Sequence, residues 1–494
     1  MTKGGVHPGM HRIGIHLIIA VSMLALTGIA WIGTIRPPDD VALIRQRGEL
    51  VVATRVGPST YYREDGEARG MEYDLAAGFA EKLGVRLRIR AVSTLNEAVT
   101  ELDAGRVDLV AAGIAPTPKR EERFDFTDAY MQVYPKLVYR QGTKRPKSLA
   151  DIGDGRIEVL ADSSHESLLK DATAEHPELN WHRFASAETK ELLYRVWRGR
   201  SDYAITDSNK LTLNQHFYPE LRAAFDVGEA HGLAWMLSPD DDTLRQAAND
   251  YLKELRDNRG LTRLMERYYG HLERFDYVGT KTLMRHTTQR LPQYLPLFKD
   301  AAANNGIDWR LLAAIGYQES HWEPSAVSPT GVRGIMMLTQ ATSRLLGVED
   351  RTDPEQSIRG GARYFDEIRR RLPESIKEPA RTWFALASYN VGLGHLEDAR
   401  VITQKRGGDP DSWTDVKANL PLLSEKEWYT QTRHGKARGW EPVRYVENIR
   451  KYYQLLKRVT DADRMDPDKA PKKPTRRASD PAGWRFNNNV ESAL

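Results

Sequence analysis

Glu319 is a carboxylate placed for acid chemistry. It follows Ile315 by four residues, Leu312 by seven and Leu311 by eight. That spacing puts all four on one helix face, the face turned to the interior. Asp308 is expected to cap this helix ahead of Trp309, and Pro324 to stop it. Glu319 then falls in or near the last turn. Desolvation and the negative end of the helix both disfavour its ionised form and raise its pKa. A carboxyl still protonated near neutral pH is what general-acid cleavage of a glycosidic bond requires. The competing reading is a helix-end glutamate whose head reaches water. Glu323, at i+4, is weighed as a second carboxylate that activates water, against a solvated charge at the helix end.

The elements that must position this acid come late in a long chain. At 494 residues it should hold about three units, or two large ones and a tail. The balance of 72 Lys+Arg against 68 Asp+Glu, a net +4, gives no reason to expect nucleic acid as a partner. A mean hydropathy of −0.57 excludes a polytopic membrane protein. The absence of cysteine excludes disulfides, Cys-ligated metal, a thiol nucleophile and acylation as a lipoprotein. His321, His395 and His434 lack a convergent metal-ligand spacing, so no metal or cofactor is expected. Residues 13–35 form an apolar run long enough to span a bilayer. It reads equally as a signal peptide cleaved after Ala30. Either way the rest of the chain is expected to be exported, with 1–40 serving as leader or anchor plus linker.

From Leu43 strands and helices alternate. Leu50–Ala53 reads as a buried strand. Asp74 is expected to cap a helix carrying Leu75, Phe79 and Leu83, ended by Gly84. Val85, Leu87 and Ile89 alternate with arginines at period two, and Val107–Val110 follows as a further strand. Such repetition implies a parallel sheet covered by helices on both faces. An ordered series here resembles the bacterial solute-binding proteins for amino acids: Gly48-Glu49-Leu50-Val51-Val52, Gly70-Met71-Glu72-Tyr73-Asp74-Leu75, Leu102 to Asp108, Thr117-Pro118-Lys119-Arg120, Phe124 to Thr127, Tyr130 and Asp202 to Asp207. The resemblance covers about residues 41–272. It implies two α/β lobes with ligand between them, the chain entering the second near Val138 and returning near Gly228. It further implies that Arg120 clamps a ligand carboxylate through its planar fork. Ser163 and Ser164 would add hydroxyls, Asp207 would take a ligand ammonium, and Tyr62 or Tyr61 would form an aromatic wall. A surface arginine in a charged turn is the plainer account of Arg120. One departure is Asp162, where the family usually has glycine; its charge would repel a free carboxylate or favour another ligand.

Beyond Tyr277–Lys281 nearly every periodic segment is helical. Pro292 starts one helix, through Leu295 and Phe298 to Asn304-Asn305-Gly306. Glu319-Ser320, the Gly-punctuated Ser328 to Thr339, Ala341-Thr342, Ala385 to Gly392, and Tyr445-Val446-Glu447-Asn448-Ile449 together resemble the soluble-lytic type of lytic transglycosylase. That family has a lysozyme-like helical fold, and the resemblance covers about 285–458. It implies cleavage of the β-1,4 bond between N-acetylmuramic acid and N-acetylglucosamine in peptidoglycan, with 1,6-anhydro ends formed by Glu319 acting first as acid and then as base. It implies that Ser328 bonds the substrate acetamido group and that Tyr389 packs over and hydrogen-bonds Glu319. Asn390 would hold the turn or contact sugar, Met336 would be cleft wall or core, and Tyr445 would lie in the cleft. Met337 stands where the family often has glutamine, which removes a polar substrate contact.

The expected architecture is therefore multidomain: a two-lobed α/β unit of the periplasmic-binding-protein kind at 41–272, then an all-α lysozyme-like unit at 273–460. Residues 461–494 read as a disordered basic tail. The combination resembles the membrane-bound lytic murein transglycosylase F family. That resemblance implies a Gram-negative periplasmic protein peripheral to the outer membrane, acting in wall turnover, with glycan strands as substrate and a wall-derived amino acid or peptide as a regulating ligand. The alternative is a wall-associated amino acid or peptide receptor whose lysozyme-like unit is inactive.

Overall fold

Aliphatic runs bounded by glycine build the first half of the molecule. In the computed structural model, which describes residues 40–465 apart from 65, 186–187, 216, 240–241, 271–276 and 329–330, these runs are strands. The apolar segment at 13–35 and residues 466–494 of the expected tail lie outside the described residues, whereas 461–465, expected to be disordered, end the last helix. Among the described residues no helix is long and apolar enough to cross a membrane.

One sheet runs in the order Arg86–Val92, Glu49–Arg55, Leu109–Ile114, His231–Leu237, Asp125–Phe126. The first three strands are parallel, and His231–Leu237 is antiparallel to its neighbour. Alternate residues serve opposite faces. Leu50, Val52, Leu109 and Ala111 pack with Leu75 and Phe79 of the helix Met71–Leu83. Val51, Ala53, Val110 and Ala112 pack with Ala98 and Leu102 on the other side. The second sheet has the order Trp181–Phe184, Ile157–Leu160, Tyr203–Asp207, Pro135–Arg140, Leu221–Asp226. The chain passes to it just before Pro135, slightly earlier than expected, and returns between Asp226 and His231.

Asp74 is not a cap. The helix begins at Met71 behind Gly70, which has φ 131° and backs onto Thr60, whose carbonyl oxygen would lie 2.0 Å from a Cβ there. Only glycine fits that approach. Asp74 instead sits inside the helix and accepts from the Tyr268 hydroxyl at 2.7 Å.

After the helices Asp242–Asp257 and Gly260–Tyr268 every further element among the described residues is a helix. Leu291–Asn304 carries Pro292 at its first turn, where a missing N–H is harmless, and a second proline, Pro296, inside it. The acid-bearing helix is Trp309–Ser320, with Asp308 accepting from the Arg310 amide at 2.8 Å as its cap. Its inner face, Leu312, Ile315 and Tyr317, joins a core with Phe298, Phe365, Phe384, Val446 and Ile449. It packs on the last helix, Trp440–Met465, which also packs on Ala380–Val391. The last helix reaches back to the first half. Arg450, 3% exposed, donates to Glu266 Oε1 and to the carbonyls of Glu266 and Arg267. Lys417 bridges Glu266 at 3.2 Å and Glu447 at 2.8 Å.

The loop after the acid turns on Gly334, at φ 89°, where an added Cβ would meet the Arg351 carbonyl oxygen at 1.8 Å. Backbone cannot yield as a side chain does. We expect Gly334→Ala to lower stability by about 2 kcal/mol or more, read as an earlier urea midpoint for the helical half.

Candidate active site

The helix Trp309–Ser320 delivers Glu319 in its last turn, as the periodicity predicts. The turn beyond it is unusual. His321 and Trp322 both have positive φ, 53° and 56°, and each such non-glycine residue costs about 1–3 kcal/mol. What holds them is Trp322, which is 1% exposed and donates from Nε1 to the Ala313 carbonyl at 2.8 Å. Ser320 Oγ bonds the Ile335 carbonyl at 2.9 Å and so ties the helix end to the glycine-punctuated loop.

The carboxyl of Glu319 is desolvated, and burial pushes its pKa up to about 7. One hydrogen bond opposes that shift: the Tyr445 hydroxyl donates to Glu319 Oε1 at 2.5 Å. Tyr445 is 5% exposed. Burial and the adjoining carboxyl raise its own pKa far above the usual tyrosine range, so it stays a donor.

The two tyrosines exchange their expected parts. Tyr389 does not bond Glu319; its hydroxyl donates to the Met336 carbonyl at 3.0 Å. Its ring lies nearly parallel to that of Tyr445, 13° between planes with centroids 6.4 Å apart. Met336 is core and not cleft wall. It is 0% exposed, and its side chain fills the space that a Cβ on Gly361 would need. Its contribution to the site is the carbonyl that holds Tyr389. Asn390 is exposed near the end of the helix Ala380–Val391. Ser328 is half-buried and its Oγ accepts from the Val332 amide at 3.0 Å, closing a turn. Glu323 lies beyond the helix, so the i+4 argument does not apply. Its carboxylate accepts from Ser325 Oγ at 3.0 Å and faces Arg290 at 3.8 Å.

In the first half a cavity of about 280 Å³ separates the lobes, and Arg120, Ser163 and Ser164 line it. Arg120 spans the cleft, donating to the Ala115 carbonyl at 2.7 Å on its own lobe and to the Asp162 carbonyl at 2.9 Å on the other. Ser163 is a helix cap, accepting from the Glu166 amide and donating to the Leu160 carbonyl. Asp162 has φ 59°, which explains why glycine suits this place. Its carboxylate is taken by Arg183 at 2.8 Å and Asn96 at 2.9 Å. Two expected contacts are absent. Asp207 is 2% exposed and already bonded to Lys210 at 2.7 Å and His165 at 2.9 Å, with His231 at 3.2 Å, so no oxygen is left open for an ammonium group. Lys210, three residues on in the helix Ser208–Gln215 that follows the strand of Asp207, was a readable signal; the two histidines come from distant segments. Tyr62 is half-buried in the hairpin with Glu67–Arg69 and does not line the cavity. Arg55 does line it and escaped the sequence reading.

The structure thus joins a two-lobed α/β architecture of the solute-binding kind to a helical unit whose helix-end Glu319 carries a desolvated carboxyl suited to acid chemistry. Residues 50–271 match the bacterial extracellular solute-binding proteins, family 3, and residues 296–411 match the transglycosylase SLT domain. Membrane-bound lytic murein transglycosylase F 1 of Alkalilimnicola ehrlichii is 48% identical over 462 residues, 92% of this chain and 94% of that one. The transglycosylases F of Ectopseudomonas mendocina and Marinobacter nauticus are each 46% identical, over 89% and 90% of this chain and 93% and 88% of theirs. The chain belongs to the membrane-bound lytic murein transglycosylase F family and is an enzyme, a lytic transglycosylase.

Two outcomes follow from the balance at Glu319. Removing the Tyr445 hydroxyl removes the bond that favours the carboxylate. Tyr445→Phe should therefore raise the pKa of Glu319 by about one unit and move the alkaline limb of the pH–rate profile upward. A folded pKa near 7, above the ordinary 4.5, also means that stability present below pH 4.5 is lost as pH rises through 7. Glu319→Gln should match the parent near pH 4 in urea unfolding and exceed it at pH 8, by on the order of 2 kcal/mol.

Proposed function

We propose that Glu319 is the acid and then the base with which this chain cleaves peptidoglycan between N-acetylmuramic acid and N-acetylglucosamine. The carrying observation is a desolvated carboxyl whose pKa near 7 lets it hold a proton at working pH and still give it up. The protonated acid donates to the oxygen of the leaving N-acetylglucosamine, and the C–O bond breaks as positive charge grows at the muramic anomeric carbon. The sugar's own acetamido group stabilises that charge, as in substrate-assisted glycosidases. The carboxylate, now held by Tyr445, takes the proton of the sugar's 6-hydroxyl as that oxygen closes on the anomeric carbon. One proton leaves and one returns, no water is consumed, and a 1,6-anhydro end results.

Tyr389 and Tyr445 build the wall behind the acid, and Asn390 and Ser328 are assigned to the glycan. We assign residues 273–460 to catalysis, 41–272 to sensing a wall-derived solute that biases access to the catalytic unit, 1–40 to export or anchoring, and 461–494 to a basic tail. The names of the relatives support attachment to a membrane; we place the protein on the periplasmic side of a Gram-negative envelope, at the outer membrane.

Digestion of purified sacculi tests the chemistry. Muropeptides should carry anhydro ends by mass, and Glu319→Gln should release them at least about a thousandfold more slowly. Reducing ends in their place would replace the lyase reading with hydrolysis.

A further inference from the structure

The cleft in the first half is charged in a way that a zwitterion does not explain. Arg55, at the end of the strand Glu49–Arg55, lines it beside Arg120. Among the described residues Arg55 makes one hydrogen bond, from Nη2 to the Ala112 carbonyl at 3.1 Å, and its Nε is buried with no partner. Among the described residues Arg120 is bonded to backbone carbonyls alone. Among the described residues neither guanidinium has a carboxylate on it.

The acidic groups nearby are already engaged. Asp162 is held by Arg183 and Asn96. Asp207 is enclosed by Lys210, His165 and His231. Glu72 accepts from Tyr130, from the Gly113 amide at 2.6 Å and from Trp235 at 3.0 Å, and burial raises its pKa. Desolvation lowers the pKa of Arg55. It lowers that of Arg120 to about 10, and the charge of Arg55 adds to the effect. Two like charges thus share one half-buried cavity, an unfavourable arrangement without an anion. Among the described residues no Phe, Tyr or Trp lines the cavity.

We infer that this cleft takes a compact dicarboxylate, one carboxylate on Arg55 and the other on Arg120, with no site for a free ammonium group. This rests on the reading of the cleft as a solute site and names the class of solute. The guanidinium fork matches carboxylate in two parallel hydrogen bonds, and two such forks suit two acid groups. An acidic amino acid qualifies when its amine is acylated, as it is within a peptide. Arg55 is a specificity-determining residue for the ligand.

Isothermal titration of the full chain in detergent tests this, with glutarate, N-acetylglutamate, glutamine and inorganic phosphate as probes. Glutarate and N-acetylglutamate should bind, and glutamine at least tenfold more weakly. Arg55→Met should weaken glutarate at least tenfold, and Arg55→Lys, which keeps the charge and guards against misfolding, should retain part of the affinity. Glutamine binding as tightly as glutarate, or Arg55→Met binding glutarate like the parent, would overturn the dicarboxylate class while leaving a solute site. Preference for phosphate over glutarate would overturn the carboxylate assignment. Silence from all four probes would overturn the solute-site reading with it.

Discussion

The helical half is organised around a competition over one proton. Burial favours the neutral carboxyl of Glu319; the Tyr445 hydroxyl favours the charged one. Neither wins outright, and a pKa near neutrality is the result. A fully exposed glutamate would have lost its proton long before a glycan strand arrived. A fully buried one without Tyr445 would hold it too firmly to serve as acid, and would make a poor anion afterwards. The same hydroxyl therefore matters at both stages, steadying the carboxylate once the proton has gone.

That balance requires a rigid frame, and the frame is unfavourable locally. Two successive left-handed residues follow the acid, and a glycine at φ 89° lies in the loop beyond. Close packing of the Met336 side chain against Gly361 and Gly316, with the Met336 carbonyl on Tyr389, fixes the loop behind the acid. Such strain persists where surrounding structure over-determines it. Here the surroundings are Trp322 in the core and Ser320 bonded across to Ile335. A charged group held away from water is a further local loss of stability, accepted for function.

Much of this was legible because it depends on periodicity. A 3.6-residue repeat places Glu319 on an inner face, Asp308 starts its helix, and period-two strands sort cleanly onto two faces of a sheet. Side-chain direction was less legible. Tyr389 and Tyr445 stand on different helices with near-parallel rings, and only the docking of those helices decides which hydroxyl reaches the acid. Met336 sits in a Gly-Ile-Met-Met run whose first three residues are all buried, so no period separates core from cleft there. Asp207 was read as open because His165 and His231, which close it, are distant in sequence. Arg55 was passed over because a lone arginine ending a strand has no motif; its meaning comes from the missing partner on its Nε.

The last helix links the two halves physically. Tyr445 and Arg450 are five residues apart on it, the first bonded to the acid, the second inserted against Glu266 of the helix Gly260–Tyr268. Arg450 is withdrawn from water, and what compensates it is Glu266 with the carbonyls of Glu266 and Arg267. A buried guanidinium deprived of its carboxylate is strongly unfavourable, so the helix is fixed at this point from the solute-binding side. The helix Gly260–Tyr268 in turn carries Tyr268, bonded to Asp74 in the helix Met71–Leu83 of lobe one. The hydroxyl that opposes the effect of burial at Glu319 is thus anchored, through two helices and the polar contacts between them, in the other half of the molecule.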